Sequence, residues 1–142
     1  MSARRGANAA ALMLALALSG GAAAAETDAA RSEVESGAVR LLRELAIADG
    51  MRLSRASLCG YGEDDLGRLA ASLRAQTDAR AREAGVSVDE ARYGDDMYEG
   101  MGQSMIELLK LPAEEIADEQ SYRASHCAEV RGDIDALLRQ AP

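Results

Sequence analysis

The pair of cysteines, Cys59 and Cys127, constrains the fold of this 142-residue chain more than any other feature. They are the only cysteines present, so a disulfide bond would join two positions that lie 68 residues apart. Closing a loop of that length stabilises a folded chain by roughly 4 kcal/mol if loop entropy alone is counted. The alternative is two free, buried thiols. The compartment decides between them, because disulfides persist in exported proteins and are rare in the cytosol.

The N-terminal segment predicts export. Arg4 and Arg5 come first, an uncharged apolar run follows from Ala9 to Leu18, and two glycines and small residues lead to Ala25. This order of basic, apolar and small residues is typical of a secretory signal peptide. The alternative, an uncleaved membrane anchor, needs about 20 strongly apolar residues, and this run is shorter. We therefore expect cleavage after Ala25 and a disulfide in the mature protein.

Cleavage there divides the chain into a signal peptide, residues 1–25, and a single helical domain, residues 26–142. The whole chain has a formal net charge of −8, and the mature domain is more acidic because two arginines leave with the signal. An acidic surface repels nucleic-acid phosphates and anionic lipids, so we expect neither a nucleic-acid partner nor stable membrane insertion after cleavage. All but one of the sixteen basic residues are arginines, as is typical of GC-rich bacterial genomes, so the expected location is the periplasm.

Helical periods run through the mature chain, and no segment shows the alternation of a strand. Phe and Trp are absent and Tyr occurs only four times, so the core must be built from Leu, Val, Met and Ala. The predicted helices span about residues 29–58, 64–84 and 88–110, and a fourth starts at Pro112, with a break near Asp118 left open. Glycines follow the first two helices, and a capping box with Ser87 as N-cap and Glu90 three residues on precedes the third.

Two apolar stripes define the faces that we expect to point inward. Spacings of three and four residues relate their members, as on one side of a helix. They are Val34, Ala38, Leu41, Leu42 and Leu45 on the first helix, and Ala91, Gly94, Tyr98, Met101, Met105 and Leu108 on the third. Within the third helix, Gly94 lies on the stripe and is expected to allow close helix contact, whereas Gly100 and Gly102 lie off it.

The short links between these helices predict the topology. Successive helices joined by short links pack antiparallel, which gives an up-down helical bundle of about four helices. In that order the end of the first helix lies beside the start of the fourth. Cys59 and Cys127 are then neighbours, so the sequence predicts an all-α bundle held by one disulfide.

The segment from Tyr93 to Met105 differs most from the rest of the chain, since it combines tyrosines, glycines, methionines and acids. Tyrosine is enriched at protein interfaces, so this segment is a candidate interaction patch. The alternative is an ordinary solvated helix face. The residues of the candidate patch are Tyr93, Asp95, Asp96, Tyr98 and Glu99.

Three methionines of the same segment share one side of the predicted helix. Met97, Met101 and Met105 are spaced four residues apart. Thioether sulfurs on one face can hold Cu(I), which makes these residues candidate metal ligands. The alternative is that methionine fills the core in place of the missing phenylalanine.

His126 is the only histidine and adjoins Cys127. Neighbouring helical residues point about 100° apart, and a bonded cysteine is no nucleophile, so a Cys–His catalytic pair is not expected. We expect His126 to face solvent. One histidine cannot supply the two Glu-x-x-His motifs of a di-iron bundle, and the Cys-x-x-Cys-His motif of a c-type haem is missing, so we expect no cofactor.

Cys59, Cys127, the helix start Gly85-Val86-Ser87 and the closing segment Ile134–Arg139 fit a general layout. Together with the signal segment and about four helices, this layout resembles that of small uncharacterised secreted two-cysteine helical proteins of proteobacteria. The resemblance covers the mature chain as a layout, and it implies no activity.

The sequence therefore predicts a non-catalytic periplasmic protein that binds another envelope protein or peptide, as an accessory factor, a chaperone or an inhibitor. The first alternative is a periplasmic copper-binding protein that uses the methionine face. The second is a small envelope enzyme in which Asp95, Asp96 and Glu99 act as acid and base.

Overall fold

The computed structural model describes the backbone of residues 12–141 and the side chains from Ala25 onward. Over this part of the chain the structure consists of helices without a strand, which confirms the predicted all-α fold. The basic pair Arg4 and Arg5 and the first residues of the apolar run lie outside the described residues. The helices are α1 (Leu12–Leu58), α2 (Glu63–Glu83), α3 (Glu90–Leu108) and α4 (Glu119–Gln140).

The chain divides into two compact units, one up to Gly37 and one from Ala38 onward. In the first unit the side chains of residues 25–36 are exposed. Val34, predicted to point inward, is 69% exposed, so that expectation was wrong. It was also wrong for Leu41 in the second unit, which is 40% exposed. None of the helices in the described range is both long and apolar enough to span a bilayer. Cleavage after Ala25 remains a prediction.

Glycines end α1 and α2 as the sequence predicts. Gly60 and Gly85 adopt the left-handed conformation, with φ of 89° and 72°. The N–H of Gly60 binds the carbonyl of Ser57 at 3.0 Å, and that of Gly85 binds the carbonyl of Arg82 at 3.1 Å. Glycine takes this conformation without steric cost, so both helices stop there and the chain reverses.

Aspartates, rather than the predicted residues, start α3 and α4. The Oδ1 atom of Asp89 accepts from the N–H of Arg92 at 2.8 Å, so the predicted cap at Ser87 was wrong. Asp118 accepts from the N–H of Ser121 at 2.7 Å and begins α4, whereas the residues from Pro112 to Asp118 form turns. A carboxylate both caps a helix and interacts favourably with its positive end. The hydrogen bond from Ser121 accordingly lowers the pKa of Asp118.

The end of α1 lies beside the first half of α4, as the predicted topology requires. Cys59 and Cys127 form a disulfide bond, with their Cα atoms 5.5 Å apart. Two arginines of α4 reach the same end of α1: Arg123 donates to the carbonyl of Leu58 at 3.3 Å, and Arg131 donates to that of Cys59 at 3.2 Å. The disulfide and the hydrogen bonds from these two arginines therefore join the end of α1 to α4.

The apolar core lies at the same end of the bundle and is small. Ala56, Leu69, Leu73 and Ile134 are buried together, from α1, α2 and α4. Partly buried side chains surround this cluster, and Tyr61 among them donates to Asp135 of α4 at 2.6 Å. Burial and this carboxylate raise the pKa of Tyr61 to about 12. Cys59 and Cys127 are also buried, so the disulfide is part of the interior.

Glycines set the spacing of α1 and α3. A β-carbon on Gly50 would overlap the carbonyl oxygen of Met97, and one on Gly100 would overlap the carbonyl oxygen of Ile47. The two backbones therefore touch at a reciprocal pair of glycines. The predicted contact at Gly94 was wrong, because there is open space where its side chain would be.

The inward face of α3 differs from the predicted stripe. Gly100 and Ser104 are its buried residues, whereas Ala91, Tyr98 and Met105 are exposed. The physical reason is the backbone contact, which selects the smallest side chains. A stripe of apolar residues therefore does not mark this interface.

Candidate interaction surface on helix α3

A buried carboxylate links the first three helices. Asp49 of α1 is 3% exposed, and its Oδ2 atom accepts hydrogen bonds from the hydroxyls of Thr77 on α2 and Tyr93 on α3, each at 3.0 Å. Arg52 lies 3.4 Å from the other carboxylate oxygen. The guanidinium of Arg74 lies over the ring of Tyr93, 4.8 Å from its centre. The Tyr93 hydroxyl therefore points into the bundle, where it binds Asp49, and it is not part of an outer interaction patch.

Burial raises the pKa of Asp49 above its ordinary value of 3.8, and the hydrogen bonds from Thr77 and Tyr93 oppose that rise. Burial and the adjacent charge of Asp49 raise the pKa of the Tyr93 hydroxyl in turn. This cluster joins three helices, and its contribution to stability depends on pH.

The Asp49→Asn variant isolates that dependence. Below 3.8 the carboxyl group is neutral in both the folded and the unfolded chain. Between pH 3.8 and the raised pKa of the folded state, the folded chain holds the proton more strongly than the unfolded chain does. The free energy of unfolding therefore falls as the pH rises through this range. Above the pKa of the folded state, the loss of stability no longer changes with pH. Asparagine has no such loss. The stability of the variant relative to wild type is therefore expected to be greater at about pH 7 than at about pH 3.5 in urea unfolding. A difference that does not change with pH would contradict the assignment.

The acids of the predicted patch point in different directions. Asp96 and Glu99 both pair with Arg43 of α1, at 3.6 and 2.6 Å. Asp95 is exposed and has no ion-pair partner among the described side chains. Of the predicted patch, only Tyr98 and Asp95 remain on an unpaired outer surface.

Four large apolar side chains form an exposed line along α3 and its C-cap residue Leu109, here called the outer stripe: Tyr98, Met105, Ile106 and Leu109. They are 72%, 46%, 55% and 75% exposed. Met105 and Leu109 lie about 20° from Tyr98 around the helix, and Ile106 lies about 80° from it, so the four side chains fall within one face about 100° wide. Gly100 and Ser104 are buried on the opposite side. Helix α3 thus has one face in the bundle and a second apolar face in solvent.

An open cleft of about 330 Å³, here called the α3–α4 cleft, adjoins this helix. Leu108 and Leu111 contribute apolar side chains from the end of α3 and the link that follows it, and Tyr122 and Val130 contribute theirs from α4. Charged groups also line the cleft: Arg55, Glu107, Glu129 and Asp133. It therefore combines apolar walls with several carboxylates.

Two pairs of ionisable side chains lie in and around the cleft. Arg55 of α1 binds Glu107 at 2.6 Å. His126 lies 2.6 Å from Glu115 and stacks on Tyr122 with ring centres 5.2 Å apart, so it is half-buried and the expected solvent-facing position was wrong. Burial raises the pKa of Tyr122, and the positive charge of Arg55 opposes this.

Two carboxylates of the cleft are unpaired. Glu129 and Asp133 lie four residues apart on α4, are exposed, and have no ion-pair partner within residues 25–141. Their spacing places them on the same face of the helix.

The three methionines of α3 differ in exposure, so they do not all lie on the same surface of the protein. Met97 and Met101 are half-buried on the side of α1, and Met105 belongs to the outer stripe. The described residues contain no group of three or more His, Cys, Asp or Glu side chains that could hold a metal ion. A thioether site at these positions remains a prediction.

Comparison of the chain with family models, with curated proteins and with solved structures gave no match. Function is therefore inferred from the outer stripe, from the α3–α4 cleft and from their charges. Ile106, Leu109, Glu129 and Asp133 were not among the predicted site residues. The recurrence of apolar residues at 98, 105, 106 and 109 could have shown the stripe, but only with α3's inward face already known.

Proposed function

We propose that the protein is a non-catalytic binding protein of the bacterial periplasm that holds another envelope protein or peptide on the outer stripe of α3. The observation that carries the proposal is the exposure of four large apolar side chains on one helix face. Single exposed apolar residues are ordinary, whereas several large ones on one helix face are typical of an interaction site.

The contrast with the core supports this proposal. The largest fully buried side chains are those of Leu69, Leu73, Ile134 and Cys127, so the outer stripe holds side chains as large as those inside. Burying one leucine or isoleucine side chain is worth about 1.5–3 kcal/mol. A partner that covers the stripe gains this stabilisation, which the isolated bundle lacks.

Charge favours a different protein over a second copy of this chain. The whole chain has a formal net charge of −8, and each mature copy is more acidic because Arg4 and Arg5 leave with the signal. Asp95, on the same helix as the stripe, has no ion-pair partner among the described side chains. Two acidic surfaces repel each other, so charge opposes self-association of this chain. The same surface attracts a partner of opposite charge.

The periplasmic location is supported by two independent features. The N-terminal segment has the order of a secretory signal, and the buried disulfide is of a kind that persists in oxidising compartments.

Quantitative capture from the periplasm of a Gram-negative host tests the proposal with three baits. They are the wild type, the stripe variant Tyr98→Ser/Ile106→Ser/Leu109→Ser, and the control variant Val34→Ser/Leu41→Ser, which removes exposed apolar groups elsewhere. A specific partner is expected with wild type and control. Its yield should fall at least tenfold with the stripe variant, because each buried apolar side chain contributes more than the 1.4 kcal/mol that a tenfold change represents.

The same mass spectra report the mass of the bait, which starts at Glu26 if the predicted cleavage occurs. Circular dichroism of the three baits checks that all are equally helical. A partner that the stripe variant retains, or one that the control loses equally, would contradict the proposal.

A further inference from the structure

We propose, on the basis of the proposed function, that the segment bound at the outer stripe is a cationic amphipathic helix that places one basic side chain in the α3–α4 cleft. The partner thus has an apolar face for the stripe and arginine or lysine beside it. Position, chemistry and charge of the cleft each support this.

The stripe and the cleft share one edge of α3. Leu108 lines the cleft, and the next residue, Leu109, belongs to the stripe. Met105 of the stripe lies three residues before Leu108, and residues three apart are neighbours on a helix surface, about 60° apart, so the two surfaces adjoin along the helix. Met101 is half-buried on the side of α3 that Leu108 occupies, about two turns before Leu108. A helix that lies on the stripe therefore has side chains directed at the cleft.

The walls of the cleft suit a long basic side chain. Arginine and lysine lay their methylene groups on apolar surface and keep the charged end near carboxylates. Leu108, Leu111 and Val130 provide that surface, and the ring of Tyr122 provides a face on which a guanidinium can stack. Arg55 demonstrates the compatibility, because its guanidinium already lies at this cleft and pairs with Glu107.

Two exposed carboxylates of the cleft are available to interact with a cation. Arg55 is paired with one carboxylate, and Glu129 and Asp133 remain without a partner among the described residues. These two side chains lie on one face of α4, so a single guanidinium or ammonium group can interact with both. An acidic or phosphate-bearing ligand would be repelled.

The test uses two fluorescein-labelled synthetic helical peptides with the same leucine face. One carries arginine on its polar face and the other carries glutamate. Fluorescence anisotropy measures their binding to the mature protein. The arginine peptide is expected to bind at least tenfold more tightly than the glutamate peptide.

Two variants with equal change of net charge locate the attraction. Glu129→Gln/Asp133→Asn is expected to weaken binding of the arginine peptide about fivefold to tenfold, the equivalent of about 1–1.4 kcal/mol. The matched control Glu33→Gln/Glu35→Gln, at exposed positions of α1, is expected to change it less than twofold. An equal effect of both variants would assign the attraction to the net charge and overturn the cleft.

The remaining outcomes separate this inference from the proposed function. Equal binding of the two peptides that is lost in the stripe variant would overturn the cationic preference and leave the docking surface in place. Binding of the arginine peptide that the stripe variant retains would contradict both. If neither peptide binds, the inference is wrong, and the capture experiment still decides the function.

Discussion

Replacing Gly100 by alanine is expected to lower the free energy of unfolding by about 2–3 kcal/mol, although alanine is the better helix former. The added β-carbon would overlap the carbonyl oxygen of Ile47. Backbone atoms cannot turn aside as a flexible side chain can, so the two helices must separate, and overpacking of this kind costs about 1–3 kcal/mol or more. Gly50→Ala meets the carbonyl of Met97 in the same way and should behave alike.

Gly102→Ala is the matched control, since it lies two residues further along α3 with open space around it. There alanine should stabilise the protein by up to about 1 kcal/mol, because glycine is the poorer helix former. Urea unfolding followed by circular dichroism measures all three variants. Equal effects at positions 100 and 102 would show that α1 and α3 do not touch through their backbones.

Removing the disulfide should destabilise the protein by roughly 3–4 kcal/mol, as measured on the Cys59→Ala/Cys127→Ala variant. The bond restricts the unfolded chain over 68 residues, and its sulfurs are buried in the native state. Whole domains have free energies of unfolding of about 5–15 kcal/mol, so this loss is a large share of the total stability. This matters in a chain whose core lacks phenylalanine and tryptophan.

Reduction of the wild-type protein provides the control, because it breaks the bond and keeps both sulfurs. Arg123 and Arg131 still bind the end of α1 after reduction, so the bundle should remain helical. Agreement between the reduced wild type and the variant is expected. A change below about 1 kcal/mol in both would mean that the loop is already restricted in the unfolded chain.

The features that the sequence predicted correctly depend on local signals or on topology. The end of α1 at Leu58 and the reversals at Gly60 and Gly85 follow from glycine itself. The Cys59–Cys127 bond follows from short links between antiparallel helices. The predicted start of α4 at Pro112 was wrong. Proline is favoured in the first turn of a helix and aspartate is favoured as an N-cap, and it is the carboxylate of Asp118 that caps α4.

The orientation of α3 could not be predicted from its own residues. The helix has two candidate faces, and periodicity does not say which one the bundle buries. The choice is made by the backbone contact with α1, in which Gly50 lies against Met97 and Gly100 lies against Ile47. Gly100 and Ser104 are buried in this orientation, and Tyr98 and Met105 are left outside. This contact joins residues far apart in the chain, so no local pattern contains it.

The candidate site was predicted in part for the same reason. Tyr98 and Asp95 are on the surface as expected, but Tyr93 is bound to Asp49, a residue 44 positions away. Asp96 and Glu99 are paired with Arg43. The cleft that includes Glu129 and Asp133 exists only once α3 and α4 lie side by side.

Site-specific photo-crosslinking in the periplasm tests most directly whether the outer stripe of α3 is the docking surface. A photoreactive phenylalanine is placed in turn at Tyr98, Met105, Ile106 and Leu109, and at the controls Gln103 on the same helix and Gln76 on α2, both of which are exposed. The proposal predicts one adduct with the same partner at the four stripe positions and little or none at the controls. Adducts that are equal at all six positions, missing at the stripe, or formed only between two copies of this chain would contradict it.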